Sequence, residues 1–319
     1  MKIAGRNLPY KGSKDPRSFA GPAAARKGGA RLWLGPEVEL VHLRNVGYGC
    51  YNFSVRATGW PGPGRDQRGR GRWQLRTWRA GVIRRVAHPG QGFTQGLITE
   101  DGTVWESTGL YGESALCRYQ LGARQVEQRA ALAAELFGEG ICRFDDVIWQ
   151  LTWQDRIALR WDARTLELID RVPYNREGWG ICTADGYIVT SDGSSELVRR
   201  EPRTLDPQGV LYVRCAGRRV LGLNDLAWSA GTIWANVAGT HYLAGIDPDS
   251  GEVTDIVNAR AAAERHLGQP QAIMNGIAAL PAAGEFLLTG KGWRSIRHVR
   301  LKPAREGASQ RRLLAGLSH

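Results

Sequence analysis

The chain has 319 residues, 42% of them hydrophobic, enough to bury one large core or two small ones. Its formal charge of +12 is unevenly spread: residues 1–90 carry 18 Lys/Arg against 4 Asp/Glu, and residues 91–319 carry 25 against 27. The basicity thus belongs to the N-terminal segment, which reads as a solvated tail, and a nucleic-acid surface on the body finds no support.

The five cysteines (Cys50, Cys117, Cys142, Cys182 and Cys215) are odd in number and contain no CxxC. Cys142 and Cys182, which follow Ile141 and Ile181 at matching places, read as buried thiols used as small apolar side chains, and a disulfide framework is not expected. No apolar run approaches the length of a membrane helix. The first residues, Met1-Lys2-Ile3-Ala4-Gly5-Arg6, lead into polar sequence without the apolar stretch of a secretion signal.

Residues 1–30 are rich in Gly, Ala, Arg and Lys without periodicity and are predicted to be disordered. Strand-like pieces follow at Val38–Leu43 and Tyr51–Val55, and residues 59–72 form a Pro/Gly/Arg linker. Residues 1–72 are therefore assigned to a basic extension, 73–303 to a folded domain and 304–319 to a basic tail.

From residue 95 onward one layout recurs: a strand, a tight turn with Asp-Gly or a relative, and an apolar strand. The copies open at Gln95-Gly96-Leu97, Glu139-Gly140-Ile141, Trp179-Gly180-Ile181, Asn224-Asp225-Leu226 and Asn275-Gly276-Ile277. From Gly96 to Trp105, Gly140 to Trp149, Gly180 to Val189 and Asp225 to Trp234 the spacing is nine residues each time. Successive copies start 44, 40, 45 and 51 residues apart, the length of a four-stranded propeller blade. Matched turns at Asp162–Thr165, Glu201–Thr204 and Asp247–Ser250 separate the outer strands. The fifth copy lacks a fourth strand, which Leu75–Val86 can supply, and one helical piece is predicted at Ala259–Leu267. The fold class predicted is all-β: a five-bladed β-propeller closed by an N-terminal strand, with a disordered basic N-terminal extension.

Inner strands of a propeller line a central channel, so equivalent repeat positions stand around its axis. One such ring is Gln95, Glu139, Trp179, Asn224 and Asn275; a second is Gly109, Trp153, Gly193, Ala238 and Lys291. Glu139 is the only acid of the first ring. Trp153 and Trp179, next to glycines at hairpin ends, read as pocket walls. The glycines flanking Glu139 are expected to turn the backbone onto the inner strand and to leave room beside the carboxylate.

Eight stretches then carry a resemblance. They include Phe93-Thr94-Gln95-Gly96-Leu97, Glu106-Ser107-Thr108-Gly109-Leu110-Tyr111-Gly112, Phe137-Gly138-Glu139-Gly140-Ile141, Leu151-Thr152-Trp153 and Gly178-Trp179-Gly180. Ser191-Asp192-Gly193-Ser194, Trp234-Ala235-Asn236-Val237 and Leu288-Thr289-Gly290-Lys291 complete the set. In order and at repeat spacing they resemble the plant/bacterial-type glutaminyl-peptide cyclotransferases over residues 80–303. The resemblance implies a five-bladed propeller that converts an N-terminal Gln of a peptide or protein into pyroglutamate with loss of ammonia. It assigns proton transfer to Glu139.

That chemistry suits the residues. Nucleophile and electrophile are tethered in one Gln, so the enzyme mainly fixes their rotamers. A carboxyl group beside Phe137 and two indoles loses solvation, which raises its pKa towards neutrality. Lys291, Asn224 and Gln95 are candidates to donate to the developing oxyanion or to orient the amide. Phe93, Trp153, Trp179, Gln95 and Asn275 are candidate substrate-binding residues. No cofactor or metal is expected, and the protein is expected to be a monomer. As written the chain reads as cytoplasmic, whereas the resemblance points to an exported protein. A start site placed upstream of the true one would reconcile the two.

Two departures from the family pattern stand out. Ala238 occupies a position where a Trp is usual, and Ala227 follows Asn224-Asp225-Leu226 where a second carboxylate is usual, so a roomier pocket is expected. Two other readings compete. A metal-dependent propeller hydrolase would use Glu139, Asn224, Asp225 and Asn275 as oxygen ligands, but Lys291 would repel the cation. The six His show no zinc-ligand spacing. A non-catalytic peptide-binding propeller is the second.

Overall fold

The structure, a computed structural model, describes residues 38–45, 51–57, 75–90, 92–264 and 273–304. The predicted disorder of residues 1–30, the linker 59–72, the basic tail beyond residue 304 and Cys50 lie outside these residues. Among the described residues every regular element is a β-strand, and no helix is long and apolar enough to cross a membrane. β1 (Val38–Asn45) and β2 (Tyr51–Ala57) pair antiparallel, on the two strand pieces expected there. β3 (Arg76–Ala87) opens the main body.

The repeats form antiparallel sheets of four strands. The first holds β4 (Thr94–Glu100), β5 (Thr103–Thr108), β6 (Ala115–Gln120) and β7 (Gln128–Ala131). The second holds β8 (Gly138–Phe144), β9 (Val147–Thr152), β10 (Ile157–Asp162) and β11 (Leu168–Pro173). The third holds β12 (Ile181–Thr183), β13 (Ile188–Ser191), β14 (Glu196–Arg200) and β15 (Pro207–Tyr212). A short pair, β16 (Arg214–Cys215) and β17 (Arg218–Arg219), leads to the fourth repeat. That repeat holds β18 (Leu223–Ser229), β19 (Thr232–Val237), β20 (Tyr242–Ile246) and β21 (Val253–Asn258). The fifth holds β22 (Met274–Ala279), β23 (Glu285–Gly290) and β24 (Ser295–Pro303).

Local chemistry explains the hairpins. Asp101-Gly102 and Ala230-Gly231 have positive φ at both turn residues (47° and 80°, 49° and 75°), the geometry whose twist matches paired strands. In the outer turns one carboxylate oxygen organises the chain. Asp162 Oδ1 accepts from the amides of Arg164 and Thr165, and Asp247 Oδ1 does the same for Asp249 and Ser250. These are two of the matched turns read from the sequence.

β3 pairs antiparallel with β24 and so supplies the fifth repeat's missing strand, as expected. It also pairs in parallel with β21, from Asp255↔Arg76 to Asn258↔Arg79, which the sequence reading did not foresee. The fourth and fifth repeats thereby merge into one eight-stranded sheet. The reason is local: Arg76 donates twice to the buried Asp255 carboxylate, at 2.7 and 2.6 Å, and the Trp78 indole donates once at 2.7 Å. The helix expected at Ala259–Leu267 is not found where the chain is described. Ala259–Glu264 forms a turn, with the amides of Ala262 and Ala263 both bonded to the Ala259 carbonyl.

Five apolar clusters lie between one repeat and the next, the last joining the fifth repeat back to the first. Two of the buried indoles in these clusters carry a polar tether. Trp105 donates to the Ala163 carbonyl and Trp149 to the Pro202 carbonyl, each 2.9 Å away in the following repeat. Such a side chain contributes area burial and leaves no orphaned N–H. The first strands touch in series, β4 to β8 to β12 to β18 to β22, and β22 touches β4.

Candidate active site

The two residue rings read from the sequence lie at one end of these first strands, joined by a recurring backbone bond. The amide of Gly109 donates to Phe93 O, Trp153 to Phe137 O, Ala238 to Gly222 O and Lys291 to Ile273 O, all at 2.8–3.0 Å. The first ring sits on register shifts. Pairing slips between Thr94 and Gly96, Gly138 and Ile141, Leu223 and Leu226, and Met274 and Ile277. A bulge inserts a residue into a strand and re-aims a side chain, and here it falls at Gln95, Glu139, Asn224 and Asn275.

Three of these residues form a hydrogen-bonded line across three repeats. Asn275 Nδ2 donates to Gln95 Oε1 at 2.8 Å, and Gln95 Nε2 donates to Glu139 Oε1 at 2.8 Å. Glu139 is only 5% exposed. Burial pushes its carboxyl well above the usual range; Lys291 draws it down, while Asp225 and Glu177 push it further up. The Lys291 ammonium sits 4.5 Å from the centre of the Phe93 ring. Phe137 makes edge contacts with Phe93, Tyr111 and Trp153, at 6.3, 5.4 and 5.6 Å between ring centres.

Trp179 stands apart from that aromatic group. Its ring lies over Gly193, where a Cβ would come within 2.7 Å of the indole and where φ is +79°. Its indole N–H faces Glu177 at 3.4 Å. Asn224 is buried, its Oδ1 lacks a hydrogen-bond partner, and its backbone carbonyl accepts from Ser191 Oγ at 2.9 Å. The line of hydrogen bonds through Glu139 does not include it. Ala238 is half-buried.

The role foreseen for the flanking glycines needs correction. Gly140 does not turn the chain; it lets adjacent first strands touch. A Cβ there would lie 2.6 Å from Trp179 O and 2.8 Å from Gly180 Cα, and the Gly140 amide already donates to Trp179 O at 2.8 Å. The fourth repeat has Asp225 at the equivalent position. Its fully buried carboxylate accepts from the Ile277 amide at 2.8 Å and interacts with the amides of Leu226 and Leu97, in two other repeats and its own. Burial pushes its carboxyl well above the usual range.

The sequence reading overlooked His88 and Glu106. Glu106 is fully buried and accepts from Thr94 Oγ1 at 2.7 Å and Tyr119 Oη at 2.9 Å; His88 Nε2 lies 2.8 Å from it. The only signal was a charged residue inside an apolar strand. Among the described residues no three His, Cys, Asp or Glu side chains gather in a way that could hold a metal ion.

Comparison with known proteins identifies the family. The family model described as glutamine cyclotransferase matches residues 63–301. A glutaminyl-peptide cyclotransferase of Arabidopsis thaliana is 30% identical over 228 residues, covering 70% of this chain and 71% of the relative. The crystal structure of Myxococcus xanthus glutaminyl cyclase superposes with a TM-score of 0.68 at 31% identity, over 73% of this chain and 100% of that one. A family match over most of the chain, with a relative 30% identical over 70% of it, places this chain in the glutamine cyclotransferase family.

Proposed function

We propose that Glu139 carries both proton transfers of a glutaminyl-peptide cyclotransferase, an acyltransferase that converts the N-terminal glutamine of a peptide or protein into pyroglutamate. The observation that carries this reading is a buried carboxyl group held by Gln95, under the charge of Lys291, at the end of an aromatic group. In the reaction the α-amine nitrogen bonds to the side-chain amide carbon, and the bond from that carbon to the amide nitrogen breaks. The amine gives up one proton and the departing nitrogen gains one, leaving as ammonia. Glu139 accepts the first and returns it in the second step. A raised pKa suits this exchange, because the carboxyl must be both a usable base and a usable acid near neutral pH.

Around that centre, Lys291 and Asn224 face the oxygen that gains negative charge in the tetrahedral stage. Phe93, Trp153 and Trp179 hold the glutamine side chain and exclude water. Gln95 and Asn275 orient Glu139 as well as the amide. The repeats are read as five blades of a propeller over residues 73–303. Support comes from the serial contact of the first strands and the five clusters between repeats.

Incubation with a Gln-initiated dipeptide is expected to release one ammonia per peptide, with turnover surviving a chelator. A folded protein that binds the peptide without releasing ammonia would favour a binding module instead. Ala238→Trp tests the open wall. It is expected to lower KM about 3- to 10-fold, the worth of one aromatic contact, with kcat little changed. An unchanged KM would mean that another group already closes that side.

A further inference from the structure

The His88–Glu106 pair is buried, and the proposed reaction does not use it. The ring of His88 has an acceptor on both sides: Nδ1 faces Trp293 O at 2.7 Å and Nε2 faces Glu106 Oε1 at 2.8 Å. A carbonyl oxygen only accepts, so Nδ1 must donate. Both Glu106 oxygens already receive hydroxyls, from Thr94 and Tyr119. An imidazolium that donates from Nδ1 to the Trp293 carbonyl and from Nε2 to an ionised Glu106 carboxylate satisfies every partner. The pair is 1% and 0% exposed, so it touches no substrate. Glu106 sits below and His88 above their ordinary pKa values despite burial, each held there by the other.

What the pair grips is informative. Thr94 stands between Phe93 and Gln95. Trp293 ends the short loop that carries Lys291, and its indole packs on Gly290, where a Cβ would lie 2.4 Å from Nε1. The Gly292 amide of that loop donates to Gly92 O at 2.9 Å. One charged pair therefore ties the start of the first repeat to the last hairpin of the fifth, the two segments that bring the Phe93 ring and the Lys291 ammonium together.

We propose that His88 and Glu106 are positioning residues that hold the Lys291 loop against the Phe93–Gln95 strand, and so act on the reaction through Lys291. This rests on the function proposed above. The test is a double-mutant cycle in kcat/KM with Glu106→Gln and Lys291→Met. Glu106→Gln is expected to lower kcat/KM about 10- to 100-fold in the wild-type background, the penalty of a displaced group. In the Lys291→Met background the same change is expected to cost less than about 3-fold, because the group it positions is gone. Equal losses in both backgrounds, or full activity in folded Glu106→Gln protein, overturn the proposal. Should Glu106→Gln not fold, Tyr119→Phe runs the same cycle with the same criterion, removing one hydrogen bond rather than the charge. Hydrogen exchange separates the two ideas. The amides of Lys291 and Gly292 should exchange faster in Glu106→Gln, and that of Ile141 should not; unchanged exchange at Lys291 and Gly292 also overturns the proposal. A wild-type protein that releases no ammonia refutes the proposed function alone, since exchange reads the loop without turnover.

Discussion

Glu139→Gln is expected to lower kcat for a Gln-initiated dipeptide by about 10²–10⁴-fold while making the protein more stable. The loss follows from removing the one group that moves both protons. The gain follows from burial. The wild-type carboxyl is held well above its ordinary pKa by desolvation. At a pH between the ordinary value and the raised one, the folded state keeps a proton that the unfolded state has lost, so wild-type stability falls as pH rises through that window. A glutamine has no charge to desolvate, and its Oε1 can still accept from Gln95. The melting temperature of the variant is expected to exceed that of wild type at pH 7 by ~2–4 °C, the shift produced by about 1 kcal/mol in a domain of this size. The gap should close below the ordinary carboxylate range, where both proteins are neutral at this position. Substantial turnover in the variant would remove Glu139 from the mechanism. A lower melting temperature at pH 7 would contradict the account of its burial.

Lys291→Met is expected to lower kcat/KM by about 10²-fold, within the range for removing one group that stabilises developing negative charge. Methionine keeps an apolar stem against the Phe93 ring, so the loss isolates the charge. A second signature accompanies it. The ammonium draws the Glu139 carboxyl down against the upward push of burial. Without it that pKa rises further, less base is ionised at a given pH, and the acid limb of kcat/KM moves to higher pH. The substrate amine titrates identically with both proteins, so a difference between the two limbs reports the enzyme. An unmoved limb with near-normal turnover would leave Lys291 without a role.

The repeat, and most of the ring built on it, was legible because a period in sequence reports a period in space. Nine residues from Gly140 to Trp149 and from Asp225 to Trp234 put equivalent side chains at equivalent points of successive hairpins. The spacing found Glu139, Gln95 and Asn275, which hydrogen bonds join, and Trp153 and Lys291 beside them, while Phe93 came from the family resemblance. It misjudged Gly140, whose reason is contact with Trp179 O in the next repeat, because a glycine looks the same whether it turns or packs. It misjudged Ala259–Glu264, where helix-forming residues make only a turn. In the sequence the missing second carboxylate falls at Ala227, and Asp225 stands out only as a candidate oxygen ligand in the competing metal reading. In the fold it is a second buried carboxylate whose field reaches Glu139.

The sequence by itself determined the all-β character, the repeat length, the strand that completes the fifth repeat and the single acid in the first ring. Each of these is written in local alternation, turn chemistry or spacing. Only the tertiary structure decided that β3 also joins β21, that bulges aim the ring residues, and that His88 meets Glu106 and the Trp293 carbonyl. His88 and Trp293 are 205 residues apart. No local propensity encodes such a meeting; it exists only once the last hairpin has packed against the first.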